Sequence, residues 1–506
     1  MFDPYAAYSP LEAVIRAVRF RRVHSSEGSV LTAGATRDNE AVTRIVIVGG
    51  GPAGYESALV AAQLGATVTV IDRDGLGGSC VLTDCVPSKT LIATSDRVTE
   101  LRDAPRVGVG GGDVAVDLAV VNGRIKELAH QQSADIGERL RHVGVTVRPG
   151  SGRFSAAQPA RAHRLDVVDA AGDVADSVEA DVVLLATGGT PRTMPTAVPD
   201  GERILSWRDV YDLHELPEHL VVIGSGVTGA EFASGYSEIG VPVTLVSSRD
   251  RVLPGEDPDA ADVIESVFTS RGGTLVKQAR AAAVTRTAGG VEVDLVDGRR
   301  VSGSHALMCV GSVPDVEQLG LENVGVLLDE RGYIGVDRVS RTSVPSIYAA
   351  GDCTGVLLLA SVAGMQGRIA MWHALGEAVT PLRLKTVAAN VFTHPEIATV
   401  GIGYEAIASG AVPARTVTLP LATNARAKMQ GHQDGFVKLY CRPATGAVIG
   451  GVIVAPEASE LIFPLTLAVQ RGLTVNDLAS TIGVYPSLSG SLAEAARRLM
   501  LHDDLD

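Results

Sequence analysis

Apolar residues along this chain come in short, β-branched runs that end on glycine. Thr43 to Val48 is the first, and a near-continuous apolar run of strand length suits a parallel strand covered on both faces. Small and apolar residues follow at helical spacing (Ala58, Ala61, Ala62, Leu64) and predict a helix, and Thr67 to Ile71 predicts a second strand. The order returns 175 positions on, from Gly49 to Gly224: Leu220 to Ile223, a helix, then Val241 to Val246. Strand, helix, strand, twice over, predicts two parallel α/β units. No apolar stretch reaches about 18 residues, so no membrane-spanning helix is predicted.

Glycines stand where each first strand meets its helix. Gly49, Gly51 and Gly54, with Pro52 and Ala53 between, give G-x-G-x-x-G, and Asp72 closes the second strand 21 residues after Gly51. Glycines permit a tight turn and let backbone N–H groups approach a pyrophosphate at a helix N-terminus, and the acid can accept hydrogen bonds from a ribose diol. Gly224, Gly226 and Gly229, around Val227 and Thr228, repeat the spacing. Two such units imply two bound dinucleotides. The second has Ser247 and Ser248 where an acid would select NAD, followed by Arg249 and Arg251. Hydroxyls and guanidinium groups suit a ribose 2′-phosphate, which favours NADPH over NADH; arginines that merely face solvent are the alternative.

Composition narrows the field. The chain has 506 residues, 46% hydrophobic and 20% charged, an ordinary globular mix with length for two to four domains. A net charge of −14 argues against nucleic acid or an anionic membrane as partner. Five cysteines are too few for a secreted disulfide scaffold and fit a cytoplasmic protein with one special pair. Cys309, Cys353 and Cys441 are scattered. Residues 1–40 differ from the rest: Leu11 to Val23 can form a basic amphipathic helix, and 24–40 has a disordered composition without secretory features. A non-essential extension is the plainer account, an interaction or targeting arm the other.

The remaining pair is Cys80 and Cys85, inside Gly77-Gly78-Ser79-Cys80-Val81-Leu82-Thr83-Asp84-Cys85-Val86-Pro87-Ser88-Lys89. On an ideal helix, positions five apart are separated by about 7.5 Å of rise. A disulfide wants Cα atoms roughly 4.4 to 6.8 Å apart. A Cys80–Cys85 bond therefore needs a distorted turn, and strained bonds are the easily reduced ones. Two reduced cysteines packed as small hydrophobes remain the alternative.

Two dinucleotide units, C-x₄-C-V-P-S-K, Ala186-Thr187-Gly188 and Ile347-Tyr348-Ala349-Ala350-Gly351-Asp352 together resemble the FAD-containing pyridine nucleotide–disulfide oxidoreductases, over about residues 42 to 500. The resemblance implies an α/β fold with two Rossmann-like dinucleotide-binding domains and a C-terminal α+β interface domain. Its expected layout is an FAD domain over 41–190 and 316–384, an NAD(P) domain over 191–315, and a dimerisation domain over 385–506. Phe392 to Gly401 would open that last domain, with Gly435 to Leu439 and Gly450 to Val454 among its antiparallel strands.

By position, the resemblance assigns FAD to the first unit and NADPH or NADH to the second. Asp72 resembles the acid on the FAD ribose, Cys85 the flavin-proximal thiol and Cys80 the interchange thiol. Gly78 and Ser79 lie beside them. Lys89 resembles the lysine near the flavin, and Glu231 its carboxylate partner. Gly152 resembles the glycine that meets the adenine, and Thr187 and Gly188 belong to the Ala-Thr-Gly motif. Asp352 resembles the acid on the ribityl chain, with Leu359 and Ala360 alongside the flavin. Gly311 resembles a glycine on the nicotinamide side.

One segment departs from the pattern. The family carries a His-Pro with a Glu five residues after the His, the proton relay to the interchange thiol. Here Tyr485 stands at the His position, before Pro486, and Gly490 at the Glu position. Tyrosine, with a reference pKa near about 10, is a poor base at neutral pH. Acid–base help of this kind is worth about 10²- to 10⁴-fold. Hydride loading onto a flavin needs none of it, and a quinone can take electrons at the ring. The resemblance is therefore closest to the NAD(P)H:quinone reductase branch. It implies a cytoplasmic homodimer whose active site is completed by the partner's C-terminal segment. Alternatives are a dihydrolipoamide dehydrogenase or other disulfide reductase, a soluble transhydrogenase, and a non-catalytic redox-sensing subunit. His394 and His502 lie outside the motif and are expected at the surface.

Overall fold

The computed structural model describes residues 42–110 and 114–500. The helix expected over Leu11 to Val23, the extension over 1–40 and His502 lie outside the described residues.

Three five-stranded sheets organise the chain. The first contains β1 (Arg44–Val48), β2 (Thr67–Asp72), β3 (Thr146–Pro149), β4 (Val182–Leu185) and β10 (Ile347–Ala349) in the order β10-β4-β1-β2-β3, all parallel. The second contains β5 (Ile204–Ser206), β6 (Leu220–Ile223), β7 (Val243–Val246), β8 (Thr274–Val276) and β9 (His305–Met308) in the order β8-β7-β6-β9-β5, also parallel. Read from β3 and from β8, the two sheets share an order over four strands, so the internal repeat in the sequence is a repeat of topology; the fifth comes last in the chain in the first sheet and first in the second. The apolar runs behave as expected: Ile45, Val46 and Ile47, like Leu220, Val221 and Val222, are at most 1% exposed. The expected strand Val241 to Val246 begins only at Val243, because Pro242 has no N–H to offer a ladder.

Each first strand leads into a helix, α1 (Pro52–Gln63) and α4 (Val227–Glu238). Between them run α2 (Gly78–Leu82) and α3 (Cys85–Asp103), which packs on α4. Further on, α5 (Ala360–Ala374) lies against α1 so closely that a Cβ on Gly367 would come within 2.2 Å of Ser57 Oγ. Gly189–Pro191 and Ser312–Pro314 pair antiparallel where the chain passes between the two parallel sheets.

The third sheet is wholly antiparallel: β11 (Ala388–Val391), β12 (Glu396–Gly401), β13 (Arg415–Pro420), β14 (Phe436–Cys441) and β15 (Val448–Ala455), in the order β11-β12-β15-β14-β13. Helix α6 (Ala458–Arg471) covers one face. The strands expected at 435–439 and 450–454 are longer than their apolar cores, because ladder pairing continues through Tyr440 and Cys441. Cys309, Cys353 and Cys441 are all buried free thiols.

Candidate functional site

The first strand–helix turn makes one wall of a cleft. Gly49 has φ of +101° and a Cβ there would sit 2.3 Å from Ala186 O, so only glycine fits. A Cβ on Gly54 would sit 1.9 Å from Gly49 O, which is what lets α1 approach β1. Gly51 differs: its nearest neighbour is 3.9 Å away, so the helix N-terminus faces open space. Asp72 accepts the Gly50 N–H at 2.6 Å and the Gly75 N–H at 2.5 Å at the mouth of this turn. Burial raises its pKa, and those backbone bonds oppose the rise.

The cleft encloses about 960 Å³ free of protein atoms and is lined by Gly49, Gly51, Pro52, Ala53, Gly78, Ser79, both cysteines, Thr187, Gly188, Asp352 and Ala360. A second lobe of about 540 Å³ shares Gly49, Asp72 and Thr187 with it and reaches Gly150, Ser151 and Gly152. A Cβ on Gly152 would lie 2.9 Å from both methyls of Val48. Leu359 is the residue before α5, at the end of the helix that Ala360 begins. An elongated, two-lobed cavity with a bare helix N-terminus suits a dinucleotide. Two buried polar atoms on its wall, Thr187 Oγ1 and Arg208 Nε, have no partner among the described residues, as expected of groups that meet a ligand.

The cysteines stand where the helix breaks. Cys80 is on α2 and Cys85 is the first residue of α3, and Asp84 between them has φ −132° and ψ −95°. The break replaces a helical rise with a corner and sets both thiols, free, on the wall of the cleft. Each thiol acts on the other, which pulls Cys80 below the ordinary thiol value and pushes Cys85 far above it. The pair thus releases one proton easily and a second only with difficulty. Asp84 is raised by burial, and Lys89 opposes the rise. Burial, and then Asp84, push Asp352 up to about 6.

One helical turn beyond Cys85, Lys89 Nζ donates to Glu231 Oε2 at 2.8 Å. Glu231 is 4% exposed, and its other oxygen accepts the Phe392 N–H at 2.9 Å. The ammonium also stands 4.9 Å above the Phe392 ring. Burial pulls the Lys89 pKa down, but Glu231, Cys85 and Asp84 more than offset it, so the lysine is a firmly charged cation beside the thiols. α3, α4 and the end of β11 each supply one member of this arrangement.

The second turn copies the first atom for atom. Gly224 has φ of +109° with a Cβ position 2.1 Å from Cys309 O, Gly229 would touch Gly224 O at 1.8 Å, and Gly226 has nothing within 4 Å. Val227 and Thr228 begin α4. Strand register makes Ser247 the counterpart of Asp72, since Val246 pairs with Ile223 as Ile71 pairs with Val48. Its hydroxyl is buried, bonded to Ser225 Oγ at 2.7 Å and to Arg249 O at 3.2 Å. Ser248, Arg249 and Asp250 are exposed there, while Arg251 pairs with Asp262 at 3.0 Å. Gly311, at φ +97° with nothing within 4 Å, lies just before the strand pair that joins the two halves.

Tyr485 is not in this cleft. It is 85% exposed on the loop before Gly490–Arg498, next to Val484 at 78% and Ile482 at 99%. Three cleft residues went unanticipated in the sequence. Arg208 lies over the Trp207 ring at 5.1 Å and donates to Ser79 Oγ at 3.2 Å and Gly189 O at 3.4 Å. Asp84 is the buried acid between the thiols. An Arg-Trp pair 128 residues past Ser79 has no motif to betray it. His394 is also not the surface residue expected: it is half-buried, and its Nδ1 lies 3.0 Å from Asp96 Oδ1.

Residues 43–367 match the pyridine nucleotide-disulphide oxidoreductase family, and 387–496 its dimerisation domain. The NAD(P)H dehydrogenase (quinone) of Mycobacterium tuberculosis is 60% identical over 471 residues, 92% of this chain and 95% of its own length. Dihydrolipoyl dehydrogenase of Chlamydia pneumoniae is 32% identical over 451 residues, 89% and 95% of the two chains. The crystal structure of LpdA from Mycobacterium tuberculosis, 60% identical, superposes with a TM-score of 0.88 and covers 91% of this chain and 100% of that one.

Proposed function

The chain belongs to the pyridine nucleotide-disulphide oxidoreductases, enzymes that use FAD and NAD(P)H, and from that premise we propose that it is an NADPH:quinone reductase. The observation that carries this reading is an asymmetry. The Lys89–Glu231 pair is in place at 2.8 Å, whereas Tyr485 and Gly490 stand where disulfide-reducing relatives need a histidine and a glutamate. The quinone named for the Mycobacterium tuberculosis relative is in keeping with it.

FAD, when bound, accepts hydride from the nicotinamide and yields two electrons to an acceptor near the ring. The chain's own residues do the rest. Gly49, Gly51 and Gly54 leave room at the α1 N-terminus for the pyrophosphate, and Asp72 takes the ribose hydroxyls. Gly152 borders the adenine lobe, and Thr187 Oγ1 and the Asp352 carboxyl face the cleft without competing protein partners for that hydroxyl. Lys89, charged and fixed by Glu231, stabilises negative charge developing beside it. Gly224, Gly226 and Gly229 cradle the nicotinamide dinucleotide. With Ser247 in place of an acid at the strand end, the carboxylate that would repel a 2′-phosphate there is missing, and Arg249 is exposed beside it, next to Asp250.

In the homodimer, Tyr485 of one subunit would offer an apolar face to the partner's site without acting as a base. A disulfide reductase is the second reading, favoured by the presence of both Cys80 and Cys85 on the wall of the cleft. An acceptor panel with NADPH and NADH separates the two: naphthoquinone turnover far above lipoamide turnover supports the proposal, and the reverse order replaces it.

A further inference from the structure

Two helical turns along from Lys89 and Glu231, the same pair of helices carries a second polar cluster that the reaction does not use. Asp96 projects from α3 and Glu238 ends α4, each seven residues after its catalytic neighbour. His394 comes from the segment between β11 and β12. One ligand-type atom from each of the three lies within 4.8 Å of the others. Glu238 is 3% exposed, and its Oε1 takes both the Ser234 hydroxyl and the Arg271 guanidinium.

We infer that Asp96, Glu238 and His394 form a binding site for a divalent first-row transition ion. His394 Nδ1 and Asp96 Oδ1 share a 3.0 Å hydrogen bond, and two donors about 2.1 Å from one tetrahedral ion would need that separation to widen only to about 3.4 Å. One imidazole and two carboxylates are an N/O donor set of the kind that takes zinc, manganese or iron rather than a soft, thiolate-seeking ion.

The surroundings hold the donors in place. Ser234 Oγ donates to Glu238 Oε1 at 2.7 Å and accepts the His394 backbone N–H at 3.2 Å, so one hydroxyl fixes two of the three. Arg271 also donates to Glu238 Oε1, at 3.1 Å, so a bound ion would share Glu238 with a guanidinium. Partners of this sort orient ligating groups in metal sites. A polar cleft with about 1220 Å³ of atom-free space opens onto Glu238 and His394 from solvent and provides an entry route. An ion here would clamp α3, which bears Cys85 and Lys89, to α4, which bears Glu231, and both to the segment that carries Phe392.

Equilibrium dialysis of the FAD-loaded enzyme against Zn²⁺, with metal analysis, tests this. The expected result is one zinc per chain, retained in Cys80→Ser and weakened about tenfold or more in both His394→Ala and Asp96→Asn. A zinc-dependent rise in melting temperature should accompany binding and vanish in Asp96→Asn. Asp96→Asn is nearly isosteric and decides the matter if His394→Ala does not fold. Absence of bound zinc, wild-type affinity in either cluster variant, or loss of binding in Cys80→Ser would each overturn the site.

Discussion

At the scale of single residues, the buried charges decide what the site can do. Glu231 is sealed between an ammonium and a backbone N–H, so removing it strands Lys89 beside the thiols. Glu231→Ala should cost about 3 kcal/mol of stability, since it breaks a buried pair by deleting one partner. It should also slow flavin reduction by NADPH in stopped flow; thermal unfolding and the reduction rate check the two effects. The thiols make a pH prediction. Because Cys85 is the largest cause of the lowered Cys80 pKa, reduced enzyme should react with iodoacetamide through a group titrating below the ordinary thiol range. Thiolate is the reactive form, so the rate rises with pH through that value. Cys85→Ser should move the midpoint upward towards an ordinary thiol, as rate-against-pH profiles will reveal.

At the scale of elements, the two strand–glycine–helix turns divide labour among glycines that look alike in sequence. Gly49 and Gly224 are needed for the fold, by positive φ and by carbonyls 2.3 and 2.1 Å from a would-be Cβ. Gly51 and Gly226 have open space and are needed only by a ligand. Gly49→Ala should therefore destabilise by about 2 kcal/mol or more. Gly226→Val should leave melting temperature and FAD content unchanged while raising KM for NADPH about tenfold or more. Ser247→Asp, which copies Asp72 at the matching register position, should shift preference towards NADH; kcat/KM for both nicotinamides measures it.

The same elements explain what could be read from the sequence. The β-branched runs, the glycine spacing and the Cys-x₄-Cys-Val-Pro-Ser-Lys stretch are local signals, and each fell where local rules put it. Arg208 on Ser79, Phe392 on Glu231 and His394 on Asp96 are joined across 129, 161 and 298 positions. No periodicity reports such contacts; they arise where segments distant in sequence meet, as where α3 packs on α4. Strand ends moved for a smaller reason, as at Pro242, where ladder donors rather than hydrophobicity set the limit.

At the scale of the whole molecule, the chain is two copies of one dinucleotide-binding plan with an antiparallel domain attached. That domain leaves Phe463 at 70%, Ile482 at 99%, Val484 at 78% and Tyr485 at 85% exposure. An apolar surface of that kind on a dimerisation domain supports a subunit interface there, with Tyr485 delivered to the partner's cleft. In the proposed dimer it would bring a flat ring and no base, so electrons are expected to leave from the flavin and bypass the thiols. The most direct measurement is steady-state reduction of a naphthoquinone by NADPH with purified, FAD-loaded Cys80→Ser beside wild type. Retention of kcat/KM within about threefold, with wild-type lipoamide turnover at least about 10²-fold below quinone turnover, is the expected result. Collapse of quinone reduction in Cys80→Ser, or lipoamide turned over as fast as quinone by the wild type, would contradict the account.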